Sequence, residues 1–340
     1  MTNELCYVTG ATGFVGSHLA EMLLDQGKRV RLLVRSAKRL PKSLQDRCEI
    51  VEAALDAPPE ELAKGLEGVD CVYHVAGLIG ALTQKEFDHV NIDGTTNLLK
   101  ALTLSEAKPK RFLLVSSLAA FGPSDDLGRP RSEADDKDAA PRTMYGRSKL
   151  AGERAAFEYA KAHEIPLTVI RPPAVYGPRD RGIYEFFKYM AKGIEVGIGG
   201  SKKYLDLIHG RDLSRGIIMA AESERAKGEA YYLTDEGAHE MRDVMKVLRA
   251  VIRPKKTRTL LAPLFLIKIV AKVNDILQRI TGKMRLPNSD KLGELLPSAW
   301  TCSGAKAKEH FGFECEIGLE EGLRETAEWY EREGWIRVKR

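Results

Sequence analysis

The sequence predicts an α/β protein in which a doubly wound parallel β-sheet is followed by a smaller, mostly helical C-terminal part. Through residue 178, short runs of β-branched and aliphatic residues alternate with longer amphipathic runs. Such alternation indicates parallel strands joined by right-handed helical crossovers. After Pro178 the alternation weakens, so we place the sheet domain at 1–178 and the second part at 179–340.

The individual elements of the sheet domain can be placed from these runs. Late strands near 204–208 and 230–233 are expected to return to the sheet, so we assign about 204–235 to the sheet domain as well. The polar stretch 123–141 is predicted to be a long mobile loop, placed to cover a site beside the helix that follows it. The strands of the first part are predicted at 5–8, 30–34, 71–74, 112–116 and 167–171, and the helices at 14–25, 91–104 and 144–163.

The composition is that of a globular protein with a large core. Of 340 residues, 44% are hydrophobic and 30% are charged, and the formal charge of +5 is spread along the chain, so no nucleic-acid partner is expected. Five scattered cysteines without a C-x-x-C spacing predict reduced thiols and no metal site. No leader precedes the first strand and no run of about 18 apolar residues occurs, so we expect a cytoplasmic protein.

A glycine-rich turn follows the first predicted strand. Residues 9–16 read TGATGFVG and open the 14–25 helix, which is the context of a dinucleotide-binding turn and predicts a Rossmann fold. Gly10 permits the tight turn, Gly13 lets backbone N–H groups approach a pyrophosphate, and Gly16 allows the helix to pack closely on the strand. The residues of this turn that we expect to contact the cofactor are Gly10, Thr12, Gly13, Phe14, Val15 and Gly16.

The end of the second strand favours NADP over NAD as the cofactor. In NAD enzymes an acidic side chain at this place accepts hydrogen bonds from the adenosine ribose hydroxyls, whereas this strand ends in Arg35. A guanidinium binds the 2′-phosphate of NADP through paired charge-assisted hydrogen bonds. A solvated surface arginine is the simpler alternative, so NAD stays open.

A tyrosine and a lysine four residues apart form a candidate acid/base pair. Tyr145 and Lys149 fall on one face of the predicted 144–163 helix. The ordinary tyrosine pKa of about 10 is too high for efficient proton exchange near neutral pH, and an adjacent ammonium is expected to lower it. Lys149 can also donate hydrogen bonds to the ribose hydroxyls of a nicotinamide nucleotide.

Two hydroxyl groups end the strand that precedes this helix. Ser116 and Ser117 fall at the carboxyl edge of the sheet, where open α/β sheets bind ligands. One of them is placed to hydrogen-bond a reacting oxygen and to stabilise the charge that develops on it. The other interpretation is a hydrogen bond to backbone at the strand end, which suits Ser116 better than Ser117.

These motifs resemble those of the extended short-chain dehydrogenases/reductases, the group that includes NAD-dependent epimerases/dehydratases and 3β-hydroxysteroid dehydrogenase-like enzymes. The resemblance covers nearly the whole chain. Its segments are TGATGFVG at 9–16, DCVYHVAG at 70–77, NIDGTTNLL at 91–99, VSSLAAFG at 115–122, YGRSK at 145–149, RPPAVYGP at 171–178 and IHGRDL at 208–213.

The resemblance implies roles for further residues. It identifies Ser117 as the catalytic serine beside Tyr145 and Lys149, and it implies a homodimer formed through helices around the catalytic one. The chain departs from the family where an Asp-Leu pair follows the third strand, because Ala54 and Leu55 stand there. The residues whose backbone would line the nicotinamide half of the cofactor are Ala76, Gly77, Pro172 and Val175.

Two positions distinguish the branches of this group. By the resemblance, nucleotide-sugar enzymes carry an arginine and an asparagine where this chain has Leu205 and Ala174. The loss of two charge-assisted phosphate contacts, each worth about 1.5–3 kcal/mol, argues against a nucleotide-sugar substrate. Lys202 and Lys203 lie close by in the sequence and keep that alternative open.

An apolar stripe at helical spacing runs through 260–280 between basic flanks. The pattern most simply predicts a helix packed on its own domain. A lid over an apolar substrate and a helix lying on an anionic membrane surface are the alternatives. The stripe consists of Ala262, Phe265, Leu266, Ile269, Val270, Val273, Ile276, Leu277 and Ile280, and the flanks carry Arg253, Lys255, Lys256, Arg258, Lys283 and Arg285.

Together these features predict an NADP(H)-preferring oxidoreductase that interconverts a ketone and a secondary alcohol on a largely apolar small molecule, bound mainly by 179–340. Tyr145 would donate the proton, Ser117 would hold the reacting oxygen, and Lys149 would tune Tyr145 and fix the ribose. One alternative is a nucleotide-sugar epimerase or dehydratase with tightly bound NAD. Another is a non-catalytic dinucleotide-binding regulator. Any membrane contact, through 260–280, would be peripheral.

Overall fold

The computed structural model describes residues 4–124, 127, 129–198 and 202–338. The strands are β1 Leu5–Thr9, β2 Arg29–Val34, β3 Glu49–Glu52, β4 Cys71–His74, β5 Arg111–Val115, β6 Leu167–Arg171, β7 Ala174–Tyr176, β8 Ile194–Ile198, β9 Tyr204–Leu205, β10 Leu207–His209, β11 Glu229–Tyr232, β12 His239–Glu240, β13 Arg258–Ala262 and β14 Ala299–Trp300. The α-helices are α1 Phe14–Asp25, α2 Lys42–Gln45, α3 Pro59–Gly65, α4 Gln84–Asp88, α5 Gly94–Leu104, α6 Met144–Ala162, α7 Tyr184–Ala191, α8 Gly210–Glu222, α9 Met241–Ile252, α10 Leu264–Thr281, α11 Ser289–Leu295, α12 Ala305–Phe311 and α13 Leu319–Arg332.

Seven parallel strands form the central sheet, in the order β11-β6-β5-β4-β1-β2-β3. Strands β1, β4, β5 and β6 are buried along their whole length, because helices cover both faces of the sheet. Helices α1 and α8 pack on one face, and α3, α5 and α6 on the other. The predicted doubly wound Rossmann fold is confirmed, and the strand order reverses between β1 and β4, where such sheets bind ligands.

The helix predicted at 91–104 begins earlier and contains a turn that the pattern does not indicate. Thr83 and Glu86 form a reciprocal capping box that starts α4. A π-helical turn at His89–Asp93 then joins α4 to α5. This turn widens the helix next to α6 and directs Asn91 inward, where its side chain is buried.

The strand predicted at 204–208 is broken into two, and neither piece joins the central sheet. Strand β10 pairs with β7, whereas β9 lies between β12 and β14. The break falls at Asp206, whose buried carboxylate accepts hydrogen bonds from the backbone N–H groups of Ala238 (2.8 Å) and Cys302 (2.7 Å). Of the late strands, β11 returns to the sheet as expected, beside β6.

The expectation of a long loop covering a site at 123–141 is wrong for the described part of that stretch. Residues Glu133–Asp138 form a 3-10 helix with its own capping box. Arg131 forms a β-bridge with Cys302, and the Glu133 carboxylate accepts a hydrogen bond from the N–H of Tyr232. These contacts hold the segment against β11 and the C-terminal part, away from the cleft described below.

The C-terminal part has a small core of its own. Helices α7, α9 and α13 pack around Phe187, Met245, Leu248 and Tyr330, and Tyr330 donates to the carbonyl of Asp180 at 2.6 Å. Within the described residues, no helix combines the length and the apolar character that crossing a bilayer requires.

Candidate active site

The glycine turn has the shape that a pyrophosphate requires. Gly10 has a φ of +80°, and a Cβ at this residue would lie 2.7 Å from the nitrogen of Ala76, so a larger residue would displace the turn. Gly13 begins α1 without a side-chain capping bond, and the first turn holds no acidic residue. The N–H of Gly13 donates to the Gly10 carbonyl at 2.9 Å, which leaves the N–H groups of the first helical turn to bind the phosphates of a dinucleotide, in a region of positive helix-dipole potential.

One cleft of about 2450 Å³ runs from this turn across the carboxyl edge of the sheet. It extends from Arg35 past Ser117, Tyr145 and Lys149 to an apolar wall in the C-terminal part. The cleft brings together every residue predicted for the site, namely Gly10, Thr12, Gly13, Phe14, Val15, Gly16, Arg35, Ala76, Gly77, Ser117, Tyr145, Lys149, Pro172 and Val175.

Ser117 and Tyr145 meet because helix α6 begins directly against the end of β5. The Thr143 hydroxyl caps α6 by accepting from the N–H of Gly146 at 3.1 Å. Gly146 lacks a side chain that would collide with the carbonyl of Ala119, so the helix approaches the Ser117 turn closely. The Ser117 oxygen accepts from the N–H of Ala119 at 3.1 Å, and its hydroxyl lies close enough to Tyr145 to act on the pKa of that phenol.

The electrostatics of the pair differ from the expectation that Lys149 lowers the pKa of Tyr145. Burial raises the pKa of Tyr145 to about 12, although the hydrogen bond from Ser117 opposes this shift. Burial also lowers the pKa of Lys149 to about 8, and its Nζ donates to the carbonyl of Val115 at 2.7 Å. In this structure Tyr145 is thus a neutral phenol at pH 7, which suits the donation of a proton better than its removal.

A buried chain of hydrogen bonds, which sequence reasoning missed, holds the strand ends around the nicotinamide half of the cleft. His74 bonds Thr9 through Nδ1 (2.8 Å) and Thr95 through Nε2 (3.0 Å). The Thr9 hydroxyl accepts from the N–H of Ala76 at 3.1 Å. Burial lowers the pKa of His74 to about 3, so the ring stays neutral and this chain is unchanged near pH 7.

Asn91 is a second polar residue that sequence reasoning left without a role. From the π-helical turn, its amide donates to the Ser148 hydroxyl (2.9 Å) and the Leu78 carbonyl (3.0 Å), and accepts from the Leu78 N–H (2.8 Å). A Cβ on Gly77 would lie 3.2 Å from Oδ1 of Asn91 and 3.3 Å from Nζ of Lys149. Asn91 therefore fixes the loop after β4 against α6.

The two ends of the cleft add residues that could not be read from the motifs. Arg39 lines the cleft together with Arg35, near the expected adenosine ribose. At the other end, the Asp290 carboxylate accepts from the N–H of Met144 at 2.8 Å, so α11 contacts the start of α6.

The Ser116 hydroxyl is buried and has no hydrogen-bond partner among the described residues.

Comparisons with known proteins identify relatives over nearly the whole chain. A ceramide reductase of Caulobacter vibrioides (strain NA1000 / CB15N) is 31% identical, and the alignment covers 97% of this chain and 95% of the relative. The 4-hydroxy-2-methyl-3-oxo-4-farnesyl-3,4-dihydroquinoline-1-oxide ketoreductase of Stigmatella aurantiaca is 26% identical, with 93% and 94% covered. The crystal structure of a UDP-glucose 4-epimerase from Thermotoga maritima superposes with a TM-score of 0.78 over 97% of this chain and 99% of that chain, at 21% identity.

The family model for NAD dependent epimerases/dehydratases matches residues 6–233, which is more than half of the chain. The match begins in β1 and ends just after β11, so it spans all seven strands of the central sheet. The chain is therefore an NAD(P)-dependent enzyme of the extended short-chain dehydrogenase/reductase type and belongs to the NAD dependent epimerase/dehydratase family.

Proposed function

We propose that this enzyme reduces a ketone to a secondary alcohol on a largely apolar small molecule, with NADPH as the preferred reductant. The observation that carries the proposal is the wall of the cleft beyond Tyr145. The side chains of this wall are apolar and favour an apolar substrate over a charged one, while charged side chains such as Arg242 and Arg249 also line the cleft. The wall consists of Leu261, Ala262, Leu266, Ile267, Val270, Met284 and Leu286.

The names of two relatives support this choice of chemistry and substrate class. Both the ceramide reductase and the farnesyl-bearing ketoreductase are named for reductions of apolar molecules. The positions Leu205 and Ala174 also line the cleft, and neither can form a charge-assisted hydrogen bond to a nucleotide-sugar pyrophosphate.

The roles of the polar residues follow from their protonation states. When bound, the nicotinamide supplies a hydride to the carbonyl carbon of the ketone. The neutral Tyr145 phenol donates its proton to the carbonyl oxygen, and the Ser117 hydroxyl donates a hydrogen bond that holds this oxygen in place. Lys149 holds the nicotinamide ribose through its ammonium group. The hydride from the nicotinamide and the proton from Tyr145 together convert the ketone to the alcohol.

The preference for NADPH rests on the charge at the adenosine end of the cleft. Arg35 and Arg39 line this end, and neither forms an ion pair within the part of the chain that the structure describes. The nearby Glu52 carboxylate accepts from the N–H of Ala37 at 2.5 Å and does not line the cleft. Two unpaired guanidinium groups favour a 2′-phosphate over a free ribose hydroxyl.

Replacement of the proton donor tests the proposal. We expect Tyr145→Phe to bind NADPH with nearly unchanged affinity while ketone reduction slows by at least about 100-fold, because only the transferable proton is lost. NADPH fluorescence titration and steady-state turnover measure the two effects. Tyr159→Phe, on the same helix with its hydroxyl on Thr103, is the matched control and should retain turnover. Turnover of Tyr145→Phe at the wild-type rate would refute the role of Tyr145.

A nucleotide-sugar epimerase is the second candidate, because Lys202 and Lys203 line the cleft beside Leu205. Lys202 lies 3.7 Å from the Glu240 carboxylate, and Lys203 donates to the Leu296 and Pro297 carbonyls, so both cations are already engaged. Release of stoichiometric NAD on denaturing the purified protein, detected by mass spectrometry, would favour the epimerase. Freely exchanging NADPH would favour the reductase.

A further inference from the structure

Helix α10 exposes much of an apolar face to solvent. The predicted packing of this stripe on its own domain is wrong for most of its residues: Phe265 is 63% exposed and Ile280 is 75% exposed. The helix is held from its opposite face, where Ile267 and Ala271 pack with Leu292 of α11. The exposed face consists of Phe265, Leu266, Ile269, Val270, Val273, Ile276 and Ile280, and Leu260, Leu261, Met284 and Leu286 extend it.

The charge around this face is strongly positive. Residues 253–285 hold nine basic residues and one acidic residue, a net +8, so the rest of the chain is net negative despite the total of +5. The composition suggested that the positive charge is spread along the chain, but it is concentrated in 253–285. At 3.6 residues per turn, Lys268, Lys272 and Arg279 lie along one edge of the apolar face. All three are exposed and form no ion pair within the described residues.

The same face continues into the catalytic cleft. Leu266 and Val270 lie on the edge of the exposed stripe and also line the cleft, and Met284 lies against Gly80 after β4. Helix α11 connects α10 to the catalytic helix through Asp290 and the N–H of Met144. Leu266 and Val270 therefore place apolar side chains both on the exposed face of α10 and at the end of the cleft.

We propose that α10 docks this enzyme on an anionic lipid bilayer, with the apolar face in the acyl boundary and the cleft mouth at the headgroup level. An amphipathic helix with apolar side chains on one face and lysines along its edge binds such a surface. Entry of a lipid-like ketone from the bilayer rests on the proposed function, whereas docking itself does not.

Charge also decides between a bilayer and a second copy of this chain. In a symmetric dimer through α10, each basic segment would face the identical segment of its partner. Two segments of net +8 would repel one another, whereas an anionic headgroup layer neutralises them. A bilayer therefore both buries the apolar face and neutralises the positive charge, whereas a second copy of the chain would only bury the apolar face.

Vesicle co-sedimentation of the full chain tests docking. We expect binding to vesicles of phosphatidylcholine with phosphatidylglycerol to be at least about 10-fold tighter than to phosphatidylcholine alone, and to weaken as salt is added. Phe265→Glu with Ile269→Glu should abolish binding while the melting temperature stays near that of the wild type, because both side chains are exposed. Leu104→Glu, at an equally exposed leucine of α5, is the matched control and should bind like the wild type.

A second pair of variants tests the charge alone. Lys268→Ala with Lys272→Ala should weaken binding about 5-fold for each charge removed. Lys64→Ala with Lys161→Ala, two exposed lysines of α3 and α6, should leave it unchanged. Docking is refuted by absence of binding to either vesicle, by equal binding to both, or by α10 variants that bind like the wild type. It is also refuted if the Phe265 and Ile269 variant turns a dimer into a monomer in light scattering and vesicle binding persists.

Turnover separates a failure of docking from a failure of the proposed function. Phe265→Glu should reduce a short, water-soluble ketone at the wild-type rate, because Phe265 does not line the cleft. It should reduce a long-chain ketone held in anionic vesicles at least about 10-fold more slowly. If the wild type binds vesicles and reduces no ketone, the proposed function fails and docking stands; reduction without vesicle binding gives the reverse result.

Discussion

At the scale of single residues, the chemistry of Tyr145 depends on burial more than on its lysine neighbour. The spacing of Tyr145 and Lys149 correctly predicts that both reach one cleft. It does not predict their protonation states, because desolvation depends on the residues packed around them rather than on their separation in the chain. Burial moves the two pKa values in opposite directions, towards a neutral phenol and a lysine that titrates at about 8.

The lowered pKa of Lys149 predicts a pH dependence. The ammonium form exists below the pKa of about 8 and is lost as the pH rises through it, whereas the phenol of Tyr145 stays protonated up to about 12. We expect kcat/KM for NADPH to fall above about pH 8, because the neutral amine no longer holds the ribose as an ammonium does. Lys149→Met should have a low, pH-independent kcat/KM across this range. A wild-type profile that stays flat well above pH 8 would contradict this assignment.

Arg35 and Arg39 determine the expected choice of nucleotide. In the proposed function each would form a charge-assisted hydrogen bond to a 2′-phosphate worth about 1.5–3 kcal/mol, so Arg35→Ala or Arg39→Ala should raise KM for NADPH roughly 10- to 100-fold. KM for NADH should change little in the same variants. Arg47→Ala is the matched control, because Arg47 pairs with Asp25 outside the cleft. Equal increases in KM for NADPH and NADH would show that neither arginine binds the 2′-phosphate.

At the scale of elements, motifs with one strict geometric demand are the ones that sequence reasoning locates correctly. The glycine turn and α1 lie where they were predicted, since the tight turn tolerates only glycine at Gly10. The π-helical turn that directs Asn91 inward has no comparable signal, because it depends on packing between α4, α5 and α6. The break at Asp206 is equally hidden, since its partners at Ala238 and Cys302 are far away in the chain.

Gly10 in the glycine turn and Gly27 after α1 have nearly the same backbone conformation, so comparing them separates backbone strain from the crowding of a side chain. Gly10 and Gly27 have φ values of +80° and +76°, but a Cβ would meet Ala76 at Gly10 and open space at Gly27. Gly27→Ala should cost about 1 kcal/mol of unfolding free energy and leave the NADPH Kd unchanged. Gly10→Ala should cost more and weaken NADPH binding at least about 10-fold, because the turn must shift. Urea unfolding and fluorescence titration measure both; equal effects on Kd would contradict the geometry.

At the scale of the whole molecule, the sheet is more predictable than the part that surrounds the substrate. Alternating apolar runs specify a parallel sheet covered on both faces, and the seven-stranded order agrees with that pattern. The position of α10 cannot be read in this way, because an apolar stripe has the same spacing whether it faces a core, a lid or a bilayer. The structure rules against a core position for most of the stripe, because it leaves these side chains exposed beside the cleft.

The central claim is that the cleft performs a net transfer of hydride to a ketone, with Tyr145 as the proton donor. Incubation of the wild type with NADPH deuterated at the transferred position and a panel of apolar ketones tests it directly, with mass spectrometry of the products. We expect one deuterium at the carbinol carbon of the alcohol, with one NADP formed for each alcohol. Absence of a labelled alcohol across the panel, with tightly retained NAD and inversion of a sugar hydroxyl instead, would contradict the claim.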